Sequence, residues 1–179
     1  MNDINKVIGR AKLYGFDVVG YLNVSNINLM DEVRNMCKEN KCSKYNTNWS
    51  CPPGCGTLEE ARKKLANYSK GVIVQTIGEI EDFLDFENMI EVEKRHKNNF
   101  IKFYQVIKKE YKDAMAFGSG CCTICLKCTY PDEPCRFPQK CISSMESYGM
   151  LVSDICKDNK IKYYYGPNKI AYTSCFVIK

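Results

Sequence analysis

The stretch from Gly118 to Cys135 constrains this chain most, because it packs five cysteines into eighteen residues. Four of them read Cys122-x2-Cys125-x2-Cys128-x6-Cys135. Three cysteines three apart let the thiolates point inward from one wrapped loop, and each can then bind a different iron of a cubane. A single tetrahedral zinc usually takes two ligands from each of two separate knuckles, a pattern this run does not have. The spacing therefore favours a [4Fe–4S] cluster on Cys122, Cys125, Cys128 and Cys135. Zinc, and free or disulfide-bonded thiols, are the alternatives.

A rival motif overlaps this one. Cys121-x3-Cys125-x2-Cys128 fits the spacing of radical enzymes that cleave S-adenosylmethionine. Those enzymes place the motif early in a barrel of about 200 residues or more, and only a short tail follows Cys128 here. That reading is rejected. Cys121 is then a spare thiol, an alternate ligand, or a residue beside the cluster.

A second cysteine group precedes it: Cys37-x4-Cys42-x8-Cys51-x3-Cys55. The residues between are polar and turn-rich, and Pro52 and Pro53 stiffen the backbone and remove two donors. Such a loop can present thiolates inward without regular structure. We expect a second metal or cluster on Cys37, Cys42, Cys51 and Cys55. The competing reading is four buried cysteines acting as small apolar side chains. Trp49 is expected to pack against this loop. The two groups differ in spacing, so they are not a duplicated ferredoxin.

Twelve cysteines in 179 residues are far above ordinary usage, in a chain too long for a small secreted disulfide scaffold. The N-terminal residues have no basic segment followed by an apolar one, and no stretch reaches membrane-spanning length. A cytoplasmic protein is expected, where clustered cysteines favour metal or redox chemistry. The formal charge of +5 treats every cysteine as neutral. A four-thiolate site holding zinc or [4Fe–4S] carries a net charge of about −2, so two such sites cancel most of the excess. The charge is therefore no argument for a nucleic-acid partner.

Periodicity supplies the scaffold. Helices are expected over Asp3 to Leu13 and Leu29 to Lys38 (Leu29, Val33 and Met36 on one face). Another should start from a capping box at Thr57-Leu-Glu-Glu60 and bury Leu58, Ala61 and Leu65. A long helical stretch from Asp82 to Tyr111 carries Phe83, Phe86, Met89, Ile90, Phe100, Phe103 and Ile107, with a possible break at Asn98-Asn99. His96, the only histidine, lies in a basic run read as a solvated face. It is a poor ligand candidate, which argues against a Cys₂His₂ finger and a Ser-His-Asp triad. Strands are expected at Asp17 to Val24, Gly71 to Ile77 and Asp113 to Phe117, with a C-terminal hairpin of Ile161 to Tyr165 and Ile170 to Ile178. Ser143-Ser-Met-Glu146 reads as a capping box opening a short helix, with a further helix from Leu151 to Asn159. Gly118-Ser-Gly120 lacks the third glycine of a dinucleotide fingerprint, and its glycines are expected to turn the backbone close to the cluster. Lys127, Arg136 and Lys140 flank the cysteines and would offset cluster charge. Asp132 and Glu133 lie near Cys135 but read as turn residues. The fold class is α/β or α+β: one metal-binding domain over 1–179, a mixed sheet with helices and two cysteine-rich loops at 37–55 and 121–141.

These stretches together resemble a little-characterised prokaryotic family of cysteine-rich predicted metal-binding proteins of unknown function. The early part of the pattern is Cys37, Cys42, Tyr45, Trp49, Cys51, Pro52 and Pro53. The later part is Ala116 to Gly120, Cys122, Cys125, Cys128, Pro134-Cys-Arg136 and Ser144-Met-Glu146. The likeness runs from about residue 34 to the C-terminus and implies metal binding without supplying a reaction. Cys121 and Cys141 are extra to the pattern and Cys55 is not fixed by it, so the fourth ligand of the early site stays open. A shorter likeness, Ala11-Lys-x-x-Gly-Phe-Asp-x-Val-Gly20, is similar to the opening of cobalamin- and iron–sulfur-dependent epoxyqueuosine reductases. It keeps a corrinoid or redox partner in view. The leading expectation is an iron–sulfur protein, with one or two [4Fe–4S] clusters, that exchanges electrons with a partner protein. A zinc-stabilised binding module and a cluster-dependent enzyme are the alternatives.

Overall fold

The computed structural model describes residues 2–179. Its chain order is α1 (Asn2–Leu13), β1 (Val18–Asn23), α2 (Asp31–Met36), α3 (Leu58–Leu65), β2 (Lys70–Glu79), α4 (Phe86–Glu110), β3 (Met115–Phe117), α5 (Val152–Asp158) and β4 (Lys169–Ile178). The strands form one sheet in the order β1-β2-β4-β3, antiparallel at every pairing. The protein is thus an α+β domain. No helix among the described residues is long and apolar enough to cross a membrane.

Strand β2 reads as a near-continuous apolar run because both of its faces are covered. Val72 and Val74 face one layer with Phe176 and Ile178 of β4, where α1 contributes Ile4, Val7 and Ala11, and α4 contributes Phe100, Phe103 and Ile107. Ile73, Cys175 and Val177 face the other layer, built from Leu58, Ala61 and Leu65 of α3, and Val152 and Ile155 of α5. The period-two alternation of a strand assigns neighbours to opposite layers. The capping box of α3 forms as expected, with Thr57 and Glu60 bonding each other's backbone N–H.

Four expectations are corrected. First, α4 is a single unbroken helix of 25 residues, and Asp85 caps it by accepting from the Asn88 N–H. The stripe facing the sheet is Val92, His96, Phe100, Phe103 and Ile107. Phe83 (77% exposed), Phe86 and Ile90 lie off it. His96 is therefore not on a solvated face. It is fully buried, with Nδ1 2.8 Å from Thr76 Oγ1 and Nε2 2.7 Å from Ser174 Oγ. The alternation that turns Val74 and Phe176 toward α4 turns Thr76 and Ser174 there as well. Second, residues 161–165 are not a strand. Strand β4 pairs with β2 along its whole length, and the segment instead crosses the sheet face. The buried Gln75 holds it there, donating to the Lys162 carbonyl at 3.0 Å and accepting from the Tyr165 hydroxyl at 2.7 Å. Third, Met36 is exposed, since α2 ends there and tightens into a 3₁₀ turn over Cys37–Glu39. Fourth, the box at Ser143 does not form: the 3₁₀ turn Glu146–Tyr148 has Met145 at its N-cap and no side-chain cap, and Ser144 Oγ accepts from the Ser147 N–H at 3.1 Å instead.

Burial pushes the His96 imidazole down to about 3, and the charge of Lys97 adds to this. The unfolded chain takes up a proton near pH 6.5 that the folded ring refuses, so stability is lost as pH falls through that window, by up to about 1.4 kcal/mol per pH unit. In urea titrations, the stability gap between wild type and His96→Gln should narrow by roughly 3 kcal/mol between pH 7 and pH 4; a constant gap contradicts the neutral buried ring. Gly71 offers a second check. A Cβ there would meet the Phe176 carbonyl oxygen at 2.2 Å, whereas one at Gly9 meets nothing within 4 Å. Gly71→Ala should cost at least about 2 kcal/mol, and Gly9→Ala in α1 should gain about 0.5–1 kcal/mol.

Candidate metal centre

Both cysteine groups lie in irregular loops, and each loop is held by its own polar contacts. The early loop joins α2 to α3. The Asn46 N–H donates to the Pro52 carbonyl at 2.8 Å. The buried Asn48 Oδ1 accepts from the Ser50 N–H at 3.0 Å and its hydroxyl at 2.6 Å. These turns bring Cys51 inward, 8% exposed. The late loop leaves β3 and is pinched at its base. The Gly118 N–H donates to Ser143 at 2.9 Å, and the Met145 N–H to Gly118 at 3.0 Å. Gly120 adopts a left-handed conformation (φ +69), which favours glycine, where the chain turns into the loop.

The two loops, more than sixty residues apart in sequence, meet in one lobe. The Cys122 N–H donates to Ser50 Oγ at 2.8 Å, the Trp49 indole N–H to the Glu133 carbonyl at 3.1 Å, and the Tyr130 hydroxyl to Asn46 Oδ1 at 2.9 Å. Trp49 and Tyr130 stack edge to face, 4.9 Å apart at 88°. Trp49 therefore packs across to the other loop rather than only against its own. Gly54 permits the approach, because a Cβ there would sit 2.9 Å from the Tyr130 ring.

Nine of the twelve cysteines line one or other of two cavities. Cys122, Cys125, Cys128 and Cys135 line one, and Cys141 joins them. Cys37, Cys42 and Cys51 line the second, of about 420 Å³, and Cys121 joins them there with Glu93 and Glu146. Cys55 does not line it. Its Sγ lies 3.8 Å from the Ser147 carbonyl, which also accepts from Arg34 at 3.0 Å. Among the described residues, no three His, Cys, Asp or Glu side chains close on one ion-sized point. A donor set this rich in sulfur suits zinc or iron–sulfur clusters rather than magnesium or calcium.

Residues 20–178 match the family model described as "Predicted metal-binding protein (DUF2284)". The chain belongs to this family. A search of curated proteins finds no match. Among solved structures, the chain is similar to an epoxyqueuosine reductase from Streptococcus thermophilus, at 11% identity and a TM-score of 0.43. That alignment takes in 99% of this chain and 46% of the reductase, so the chain spans less than half its length.

Within this family member, the thiols differ electrostatically. Burial raises Cys37 and Cys51, and neighbouring thiols add to the effect. Burial also raises Cys55, against the pull of the Arg34 charge. Cys122 is lowered to about 6, chiefly by a hydrogen bond from the Cys141 thiol, with the Ile124 N–H and Lys97 assisting. Cys141 moves up in return, so the pair shares one proton. Cys156 and Cys175 belong to the apolar core and serve neither cavity.

Sequence reasoning named the eight cysteines but missed what holds them. Asn48 and Ser50 read only as turn residues. Lys97 of α4 donates to the Cys121 carbonyl at 3.3 Å and pairs with Glu93 at 2.6 Å, an i,i+4 spacing visible in the sequence. Asp132 and Glu133 are exposed and line neither cavity, consistent with turn residues. Trp49, the single tryptophan, reports on the loop contact. Tyr130→Ala and Gly54→Ala should each shift its emission to longer wavelength, by several nanometres; unchanged emission in both would mean that the loops do not meet.

Proposed function

We propose that this protein is an iron–sulfur redox protein. Cys122, Cys125, Cys128 and Cys135 would hold a [4Fe–4S] cluster, and the cavity of Cys37, Cys42 and Cys51 a second centre. The reading rests on one observation above the others: Cys122, Cys125 and Cys128, three apart in sequence, line one cavity together with Cys135. A single zinc usually takes two thiolates from each of two separate knuckles. A cubane lets each of these closely spaced thiolates meet a different iron.

A bound [4Fe–4S] cluster supplies reversible one-electron transfer. The chain's own residues would set its environment. Trp49 and Phe137 line the late cavity and limit water there. Arg136 lines the same cavity, and Lys97 lies close enough to lower the Cys122 thiol. Positive charge beside a cluster raises its reduction potential. Electrons would pass to or from a partner protein.

A cluster-dependent enzyme is the second reading, and one feature favours it. A mostly apolar cavity between α4 and the late loop touches Cys121 and Cys122, with Lys97, Ser119 and Lys140 on its wall. A small substrate bound there would lie against the cysteine lobe.

The deciding measurement is iron, acid-labile sulfide and zinc per chain on protein purified without oxygen, with visible spectra before and after dithionite. About eight irons and eight sulfides, with broad absorption that dithionite bleaches, are expected. Cys125→Ser should remove about half of both. A colourless protein with tight zinc and no sulfide overturns the proposal.

A further inference from the structure

We infer that Cys121, and not Cys55, is the fourth thiolate of the early centre, so that two cysteines joined by one peptide bond serve different centres. The assignment rests on the metal-centre reading above and deepens it.

Three observations carry it. Cys121 lines the early cavity together with Cys37, Cys42 and Cys51. Its neighbour Cys122 lines the late cavity with Cys125, Cys128 and Cys135. Cys55 is occupied elsewhere: its thiol donates to the Ser147 carbonyl at 3.8 Å and sits beside the Arg34 guanidinium, whose Nη2 bonds the Gly56 carbonyl.

The peptide unit that joins Cys121 to Cys122 is tied at both its carbonyl and its N–H. Lys97 Nζ donates to its carbonyl, and the next N–H donates to Ser50 Oγ at 2.8 Å. These bonds fix the peptide between Cys121, on the early cavity, and Cys122, on the late one; both also line the apolar cavity against α4. Consecutive Cα atoms lie about 3.8 Å apart, so centres on the two thiolates would be close neighbours, able to exchange electrons through one peptide unit. Cys121 would then be the link between centres.

The test uses full-length wild type, Cys121→Ser and Cys55→Ser, each loaded anaerobically with iron and sulfide. Metal and sulfide per chain are measured, and the dithionite-reduced proteins are examined by electron paramagnetic resonance. Cys121→Ser should hold about half the wild-type iron and give a simple, uncoupled cluster signal. Cys55→Ser should keep the full complement and the broadened signal of two interacting clusters. Full iron in Cys121→Ser, or half in Cys55→Ser alone, overturns the assignment. If both variants fail to fold, alkylation of loaded and metal-stripped wild type decides it: loading should protect Cys121 and leave Cys55 unchanged, and the reverse overturns it. Zinc in place of iron would overturn the iron–sulfur reading alone, and zinc per chain in the same variants would then decide the ligand.

Discussion

The ten-residue pairing of β2 with β4 is the contact on which the other parts depend. Both strands are buried on both faces, so each alternate side chain belongs to a different helical layer. A slip of one residue would exchange the layers. Val72, Val74 and Phe176 would leave α1 and α4, and Ile73, Cys175 and Val177 would leave α3 and α5. The same register places Thr76 and Ser174 on either side of His96, which binds α4 to the sheet through both ring nitrogens. Buried polar side chains are costly when unpaired, and among the described residues no buried side-chain nitrogen or oxygen is left so.

The cysteine lobe hangs from this scaffold at a few points. Strand β3 ends at Phe117, in register with Cys175, and the chain then leaves the sheet through Gly118. The base of the late loop is closed by two backbone bonds, and the early loop is held between α2 and the capping box of α3. Beyond those points, side chains bonding to backbone and to one another do the work of regular structure. Such loops bury little apolar surface, so their order comes from specific polar contacts and from whatever the thiols bind.

Much of the fold was legible in the sequence because its signals are local. The helix of α3 was readable from Thr57 and Glu60, whose reciprocal bonds involve residues three apart. Strand β2 was readable from its unbroken apolar run. The cysteine groups were readable from spacing alone, since sulfur is the donor that soft metals and clusters require. The misreadings share one cause. His96 looks solvated among lysines and arginine until Thr76 and Ser174 arrive from strands on either side of it in sequence. Residues 161–165 look like half a hairpin until β2 takes the full length of β4.

What the sequence by itself determined was the donor chemistry: which residues are thiols, and that they cluster in two polar loops. Only the tertiary structure decided how those thiols are shared. Spacing cannot place Cys121 or Cys55, because the walls they reach are built from segments more than sixty residues apart. Ser50 meeting Cys122, and Trp49 meeting Tyr130, bring the loops together and divide adjacent cysteines between two cavities. Those contacts exist only once the sheet has set where each loop begins and ends.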